Sequence, residues 1–117
     1  MARRIAGKGQ AMYIAIRKYY ITPGTAEEWM RRVQEGFVPL ISQVPGFQAY
    51  YALKVREDEA VTISIFDTQA GAEESVRRAA AWVANNLAAL NQGLPEITVG
   101  HVSVYQGVPV VKGSLIQ

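Results

Sequence analysis

The chain has no cysteine, so a disulfide, a thiol nucleophile and a cysteine-built zinc site are all excluded. Its single histidine, His101, excludes a multi-histidine metal centre within one chain. No apolar run reaches the roughly 18 residues of a membrane span. The opening MARRIAGKGQA is basic but lacks the apolar stretch of a secretory signal. No membrane partner is therefore expected, and a cytoplasmic location is. Phosphate-binding glycine loops are missing as well, because Gly7-Lys8-Gly9 is too short for a P-loop. No paired carboxylates share a face outside the helix starts, where capping accounts for them. Neither a metal nor a cofactor is expected from these residues.

What remains is apolar material and little net charge. Half of the 117 residues are hydrophobic, enough for one domain with a real core. The formal charge is +2, and its distribution is uneven. Arg3, Arg4 and Lys8 fall in the first eleven residues, which carry no acid, whereas nine basic residues face ten acidic ones from Met12 onward. Three charges give only weak, salt-sensitive attraction to nucleic acid. Residues 1–11 accordingly read as a flexible basic leader with no nucleic-acid partner. Residues 12–106 read as the domain. Residues 107–117 read as a partly apolar tail that could reach a dimer interface.

One block occurs twice. Ala-Glu-Glu-x-x-Arg-Arg stands at 26–32 and again at 72–78, each time after a strand-like run and at the start of an amphipathic segment. It suggests two similar β-α-β halves, although two helices meeting the same need would look alike. Acidic residues suit a helix N-terminus, and Glu27/Arg31, Glu28/Arg32, Glu73/Arg77 and Glu74/Arg78 are all spaced i,i+4.

The elements follow from periodicity. Residues 12–21, MYIAIRKYYI, read as a strand. Thr25 with Glu28 forms a capping-box pattern. Ala26, Trp29, Met30, Val33, Phe37, Leu40, Ile41 and Val44 then make one helical stripe, with Pro39 expected to kink or end it. Residues 47–55 read as a second strand, with Phe47, Ala49, Tyr51, Leu53 and Val55 on one face. After a charged hairpin, residues 60–66 form a third. Asp67 or Thr68 can cap a second helix whose stripe is Ala72, Val76, Ala79, Ala80, Val83, Leu87 and Leu90. Residues 96–105 form a fourth strand.

The order β-α-β-β-α-β makes an α+β, ferredoxin-like sandwich: a four-stranded antiparallel sheet with two helices on one face. The strands carry apolar residues on both faces, so the uncovered side needs a partner. A second copy, sheet to sheet, is the expected one, giving a homodimeric α/β-barrel.

Over about residues 12–105 the chain resembles the antibiotic biosynthesis monooxygenase family of dimeric α/β-barrel proteins. The resemblance rests on the element order, on Pro45-Gly46-Phe47 at the start of the second strand, and on a helix entered directly from the aromatic-ended strand Ile65-Phe66-Asp67. It implies a cavity between sheet and helices in each subunit. Activities in that family include cofactor-free oxygenation of polycyclic phenols and quinones, and haem degradation. Two departures matter. Phe66 stands where members often carry Trp. The second helix reads Ala80-Ala81-Trp82-Val83-Ala84-Asn85-Asn86 and lacks the His that haem-degrading members use as iron ligand. Haem degradation is therefore not expected.

Trp82, Asn86 and His101 are the candidate catalytic residues. Trp82 and Asn86 share a helix face and could stack on a flat aromatic ligand and bond its oxygen. His101, beside Val99 and Ser103, is the one imidazole of the chain, the side-chain type suited to general-base work, and could deprotonate a phenol. Candidate ligand-binding residues are Tyr50, Tyr51, Arg17 and Phe66. Each tyrosine of the pair points to a different sheet face, so one ring could line the cavity and hydrogen-bond a phenol or enolate. Arg17 is an unusual charge in a strand-like run and marks either the pocket or a cross-sheet ion pair. Every one of these residues also has a plain structural reading, as packing aromatic, surface amide or interface histidine.

The leading functional expectation is a cofactor-free oxygenase-like protein acting on, or binding, a small aromatic or polyketide-like compound. The alternative is a non-catalytic dimeric ligand-binding or stress-related module of the same fold. An isomerase or decarboxylase using His101 or a tyrosine is a third reading.

Overall fold

A computed structural model describes residues 11–107. The basic leader and the tail lie outside the described residues, apart from positions 11 and 107. The elements run β1 (Tyr13–Tyr20), α1 (Ala26–Arg32), a π-helical turn (Val33–Phe37), α2 (Val38–Ile41), β2 (Phe47–Arg56), β3 (Glu59–Phe66), α3 (Gln69–Asn86), a 3-10 turn (Ala88–Leu90) and β4 (Glu96–His101). The sheet order is β2-β3-β1-β4, and every neighbouring pair is antiparallel. This is the α+β sandwich expected from the sequence, with its helical layers on one face. Among the described residues no helix is long and apolar enough to cross a membrane.

Alternation along β1 decides which side is core. Ala15, Arg17, Tyr19 and Ile21 are buried under the helices, while Ile16 on the other face is exposed. β3 repeats the pattern with Ala60, Thr62, Ser64 and Phe66 inward. The core is closed by Trp29, Val33, Phe37 and Ile41 from the first helical run and by Ala72, Ala79 and Leu87 from the second. A buried aromatic or branched side chain of this size contributes about 1.5–3 kcal/mol by leaving water, so these stripes hold both helical layers on the sheet.

Three local expectations are corrected. The first helix does not simply kink at Pro39. It widens into the π-helical turn just before it, where Val38 N–H donates to Val33 O. Pro39 has no N–H, and its ring would press on the carbonyl four residues back, so a wider turn relieves it. Thr25 does not form a capping box: its hydroxyl donates to Thr22 O, and the Glu28 carboxylate is taken by Arg31 and Arg32. Thr68, in contrast, caps α3 as expected, accepting from Gly71 N at 3.0 Å. Finally, β2 carries an irregularity between Phe47 and Ala49. The extra residue turns Phe47 inward, opposite Phe66 with ring centroids 5.8 Å apart. Phe47 therefore does not share the face of Tyr51 and Leu53, because a bulge reverses the alternation on which that reading depended.

The Pro45-Gly46-Phe47 junction has a structural cause. Gly46 sits at φ 86°, and a Cβ there would collide with the Asp67 carboxylate. Its carbonyl accepts from Asp67 N at 3.0 Å, which ties the start of β2 to the end of β3. Only glycine takes this conformation without strain.

Candidate functional site

Four strands bring unlike residues into one row across the sheet. Thr62, Arg17 and Ile97 are direct cross-strand partners on β3, β1 and β4, and Ala52 completes the row from β2. Arg17 is 1% exposed and is the one buried charged residue among those described. Its Nη2 donates to Ser64 Oγ at 2.9 Å. Among the described residues its Nε and Nη1 have no hydrogen-bond partner, and neither does Thr62 Oγ1. The guanidinium carbon lies 5.8 Å from the centre of the Phe37 ring.

Arg17 forms part of a cleft of about 410 Å³ between the sheet and α3. Val76, Ala80, Val83 and Ala84 of α3 supply one wall, and Leu94, Pro95 and Ile97 supply the other. The cleft exists because β4 is an edge strand that the helices do not cover: all six of its residues are exposed. The alanines at 80, 84 and 88 also withhold the bulk that would fill it. Tyr19 and Asn91 add polar atoms to the lining. Asn91 is held in place by the indole of Trp29, whose Nε1 donates to its Oδ1 at 2.8 Å.

Tyr19 and Val83 also border a much smaller hollow of about 10 Å³ further in, with Phe37, Tyr50, Thr62 and Trp82 around it. Phe37 is the hub of this inner group, 5.6 Å from Tyr50 and 5.5 Å from Trp82 between ring centroids. Burial pushes the Tyr50 phenol up to about 12, against the pull of the Arg17 charge. Burial also raises Tyr19, again with Arg17 acting in the opposite sense. Both phenols are therefore hydrogen-bond donors at neutral pH and poor bases.

A larger concavity, about 800 Å³, lies at the opposite edge between β2 and the first helical run. It is an open groove lined mainly by apolar and amide side chains, from Met30 and Gln34 to Phe47 and Tyr51, with no buried charge. The smaller cleft is the better site because it combines enclosure with an unsatisfied buried cation.

The candidate residues from the sequence do not converge. Arg17 is at the cleft, and Tyr50 and Trp82 border the inner hollow. Tyr51 is on the other sheet face, 41% exposed. Phe66 is fully buried against Phe47 and lines neither space. Asn86 is exposed; its Nδ2 donates to Trp82 O, and it shares only surface grooves with Trp82. His101 ends β4, exposed, with its ring stacked on Tyr13 at 4.5 Å and away from the cleft. Thr62 and Asn91 were not singled out from the sequence, since each becomes notable only through its partners. Among the described residues no group of three or more histidine or acidic side chains could hold a metal ion.

The fold has close relatives in shape. A protein of unknown function from Nitrosomonas europaea superposes with a TM-score of 0.69 at 20% identity, over 85% of this chain and 96% of that one. A monooxygenase from Streptomyces coelicolor, solved with the ligand nanaomycin D, gives 0.68 at 14% identity over 86% and 96%. SnoaB, a cofactor-independent oxygenase from Streptomyces nogalater, gives 0.57 at 16% identity over 84% and 97%. No curated protein sequence matches the chain. At these identities the structures speak for the fold alone, but residues 12–85 match a described family directly, and the chain belongs to it: the antibiotic biosynthesis monooxygenase family.

Proposed function

We propose that this protein is a monooxygenase-like enzyme that holds a small aromatic or polyketide-like compound in the cleft beneath α3 and lets it react with O2 without a cofactor. The observation that carries this reading is the cleft itself, about 410 Å³ of largely apolar, partly enclosed space in a monooxygenase-family fold. Space of that size suits a compact fused-ring compound. An anthrone or hydroquinone that gives up a proton to solvent water on its way into the cleft becomes electron-rich enough to combine with O2. For an anthrone, the peroxide formed at the activated carbon then loses water and leaves a quinone. The cleft would orient the ring and exclude bulk water during that step. Family membership and the structural relatives support the reading, including one cofactor-independent oxygenase and one monooxygenase solved with nanaomycin D.

The protein would act as a homodimer. The uncovered sheet face exposes Ile16, Tyr51, Leu53 and Val55, each 39–45% accessible. A face so apolar is stable in water when a second copy covers it.

A second reading is favoured by one specific feature: among the described residues no imidazole or carboxylate lines the cleft or the inner hollow. Without a base, the cleft would bind its compound and leave it unchanged. Oxygen uptake separates the two. Anthrone and naphthohydroquinone would be supplied to the wild-type protein, to His101→Ala, and to Ala84→Phe, which fills the cleft from an exposed helix position. Uptake above buffer that survives His101→Ala and vanishes in Ala84→Phe is the expected result. Rates equal to buffer in all three would remove the oxygenase reading for those compounds and leave the binding module.

A further inference from the structure

The Arg17 guanidinium is buried to 1% exposure with no carboxylate against it among the described residues. The ion pairs of the described residues all lie at the surface and none includes Arg17. Taking a charge out of water costs several kcal/mol unless an opposite charge or full hydrogen bonding offsets it. Among the described residues one nitrogen of three makes a complete hydrogen bond, to Ser64 Oγ; the Tyr19 and Tyr50 phenols approach the guanidinium without completing one, and the Thr62 hydroxyl beside Tyr50 makes none either. The cross-sheet ion pair that the sequence left open for this arginine does not form among the described residues. Its cross-strand partners are instead Thr62 and Ile97.

The surroundings select one kind of occupant. The cleft wall is apolar, so a ligand needs a flat or aliphatic body. The polar groups that face inward near Arg17 are hydroxyl-bearing: Tyr19, Tyr50, Thr62 and Ser64. Protonated hydroxyls and a guanidinium all donate, and none of them competes with an acceptor carrying full negative charge. A cationic ligand would meet like charge, and a neutral one would leave the guanidinium uncompensated.

We propose that the cleft takes an aromatic oxyanion, a compound already ionised at neutral pH, whose charged oxygen pairs with the free nitrogens of Arg17. The oxyanion is a ring carboxylate or an acidic phenol or enol. This rests on the same cleft being the ligand site, but it does not need any reaction to occur there. Arg17 fixes which end of the compound points inward and lowers the cost of its negative charge.

The test is anaerobic binding, read by quenching of Trp29 and Trp82 fluorescence and by isothermal titration. The probes are 2-naphthoate, 4-nitro-1-naphthol and the uncharged 2-naphthamide. At least one anionic probe should bind wild-type protein about tenfold or more tighter than the amide, the scale of a charge-assisted hydrogen bond. Preference for naphthoate identifies a carboxylate, and preference for the nitronaphthol identifies a phenolate or enolate. Arg17→Met should abolish the preference, and Arg17→Lys should retain part of it. Affinity for the nitronaphthol in wild-type protein should also fall as pH drops through the probe's own pKa, a readout that needs no variant. Equal binding of anion and amide, or a preference that survives in Arg17→Met, would overturn the proposal. Anion binding without oxygen uptake would sink the oxygenase and leave this inference standing. Uptake that is indifferent to Arg17 would do the reverse.

Discussion

A Cβ on Gly36 would stand 2.7 Å from Cζ2 of Trp82. The glycine therefore lets the indole of α3 lie directly on the backbone of the π-helical turn, where it also meets Phe37. This contact joins the two helical layers and sets one side of the inner hollow.

Gly36→Ala tests the contact. Alanine is the better helix former by about 1 kcal/mol, yet the methyl must displace the indole, and overpacking costs about 1–3 kcal/mol. Net destabilisation is expected in urea unfolding, with a shifted tryptophan emission. In a Trp82→Leu background the same substitution should become neutral or stabilising, since the two residues are coupled only through the clash. Additive effects would show that the helices can slide apart freely.

Arg17→Met should make the unliganded protein more stable. It replaces an uncompensated buried charge with an apolar chain of similar length; apolar replacement of buried ion pairs gains about 1–4 kcal/mol, and removing a charge without a counter-ion has the same direction. Thermal unfolding without ligand is the measurement. A lower midpoint would mean that the bond to Ser64 and the Phe37 contact outweigh the burial cost.

Acid should loosen the first helix in a defined window. The Glu28 carboxylate is hydrogen-bonded by Arg31 and Arg32, which lowers it from 4.5 to about 2. A depressed folded-state value means that its contribution is complete above the unfolded value and is lost as pH falls from about 4.5 through about 2. The group is exposed, so the effect is small and salt-sensitive. Stability measured against pH should show a shallower acid slope in Glu28→Gln, and 0.5 M salt should narrow the difference; identical slopes would leave the pair without energetic weight.

The uncovered sheet predicts the assembly. Ile16 is central on that face, opposite Ile63 of β3. Native mass spectrometry should find wild-type protein as a dimer and Ile16→Glu as a folded monomer, because a charge there has no partner in an apolar interface. A wild-type monomer would show that the face is covered in some other way.

The sequence by itself determined the elements, their order and the layer each faces. Period-3.6 stripes ending at Pro45 and near Leu87, and period-2 runs between them, leave few ways to pack, and Gly46 and Thr68 punctuate them through local backbone rules. The repeated Ala-Glu-Glu-x-x-Arg-Arg blocks were legible as helix starts, and the Glu28–Arg32 and Glu74–Arg78 pairs form. Arg31 and Arg77 instead reach back three residues, to Glu28 and Glu74. Tertiary structure decided the rest. The bulge that turned Phe47 inward depends on pairing with β3, which alternation within one strand does not contain. Arg17 could be seen as odd from the sequence, but not as unpaired, because its neighbours Thr62, Ser64 and Phe37 come from elements 20 to 47 positions away. His101 and Trp82 looked like one site only while the distance between strand end and helix middle was open. A site is a relation among residues far apart in the chain, and only the register of β1 against β3 and β4 sets that relation.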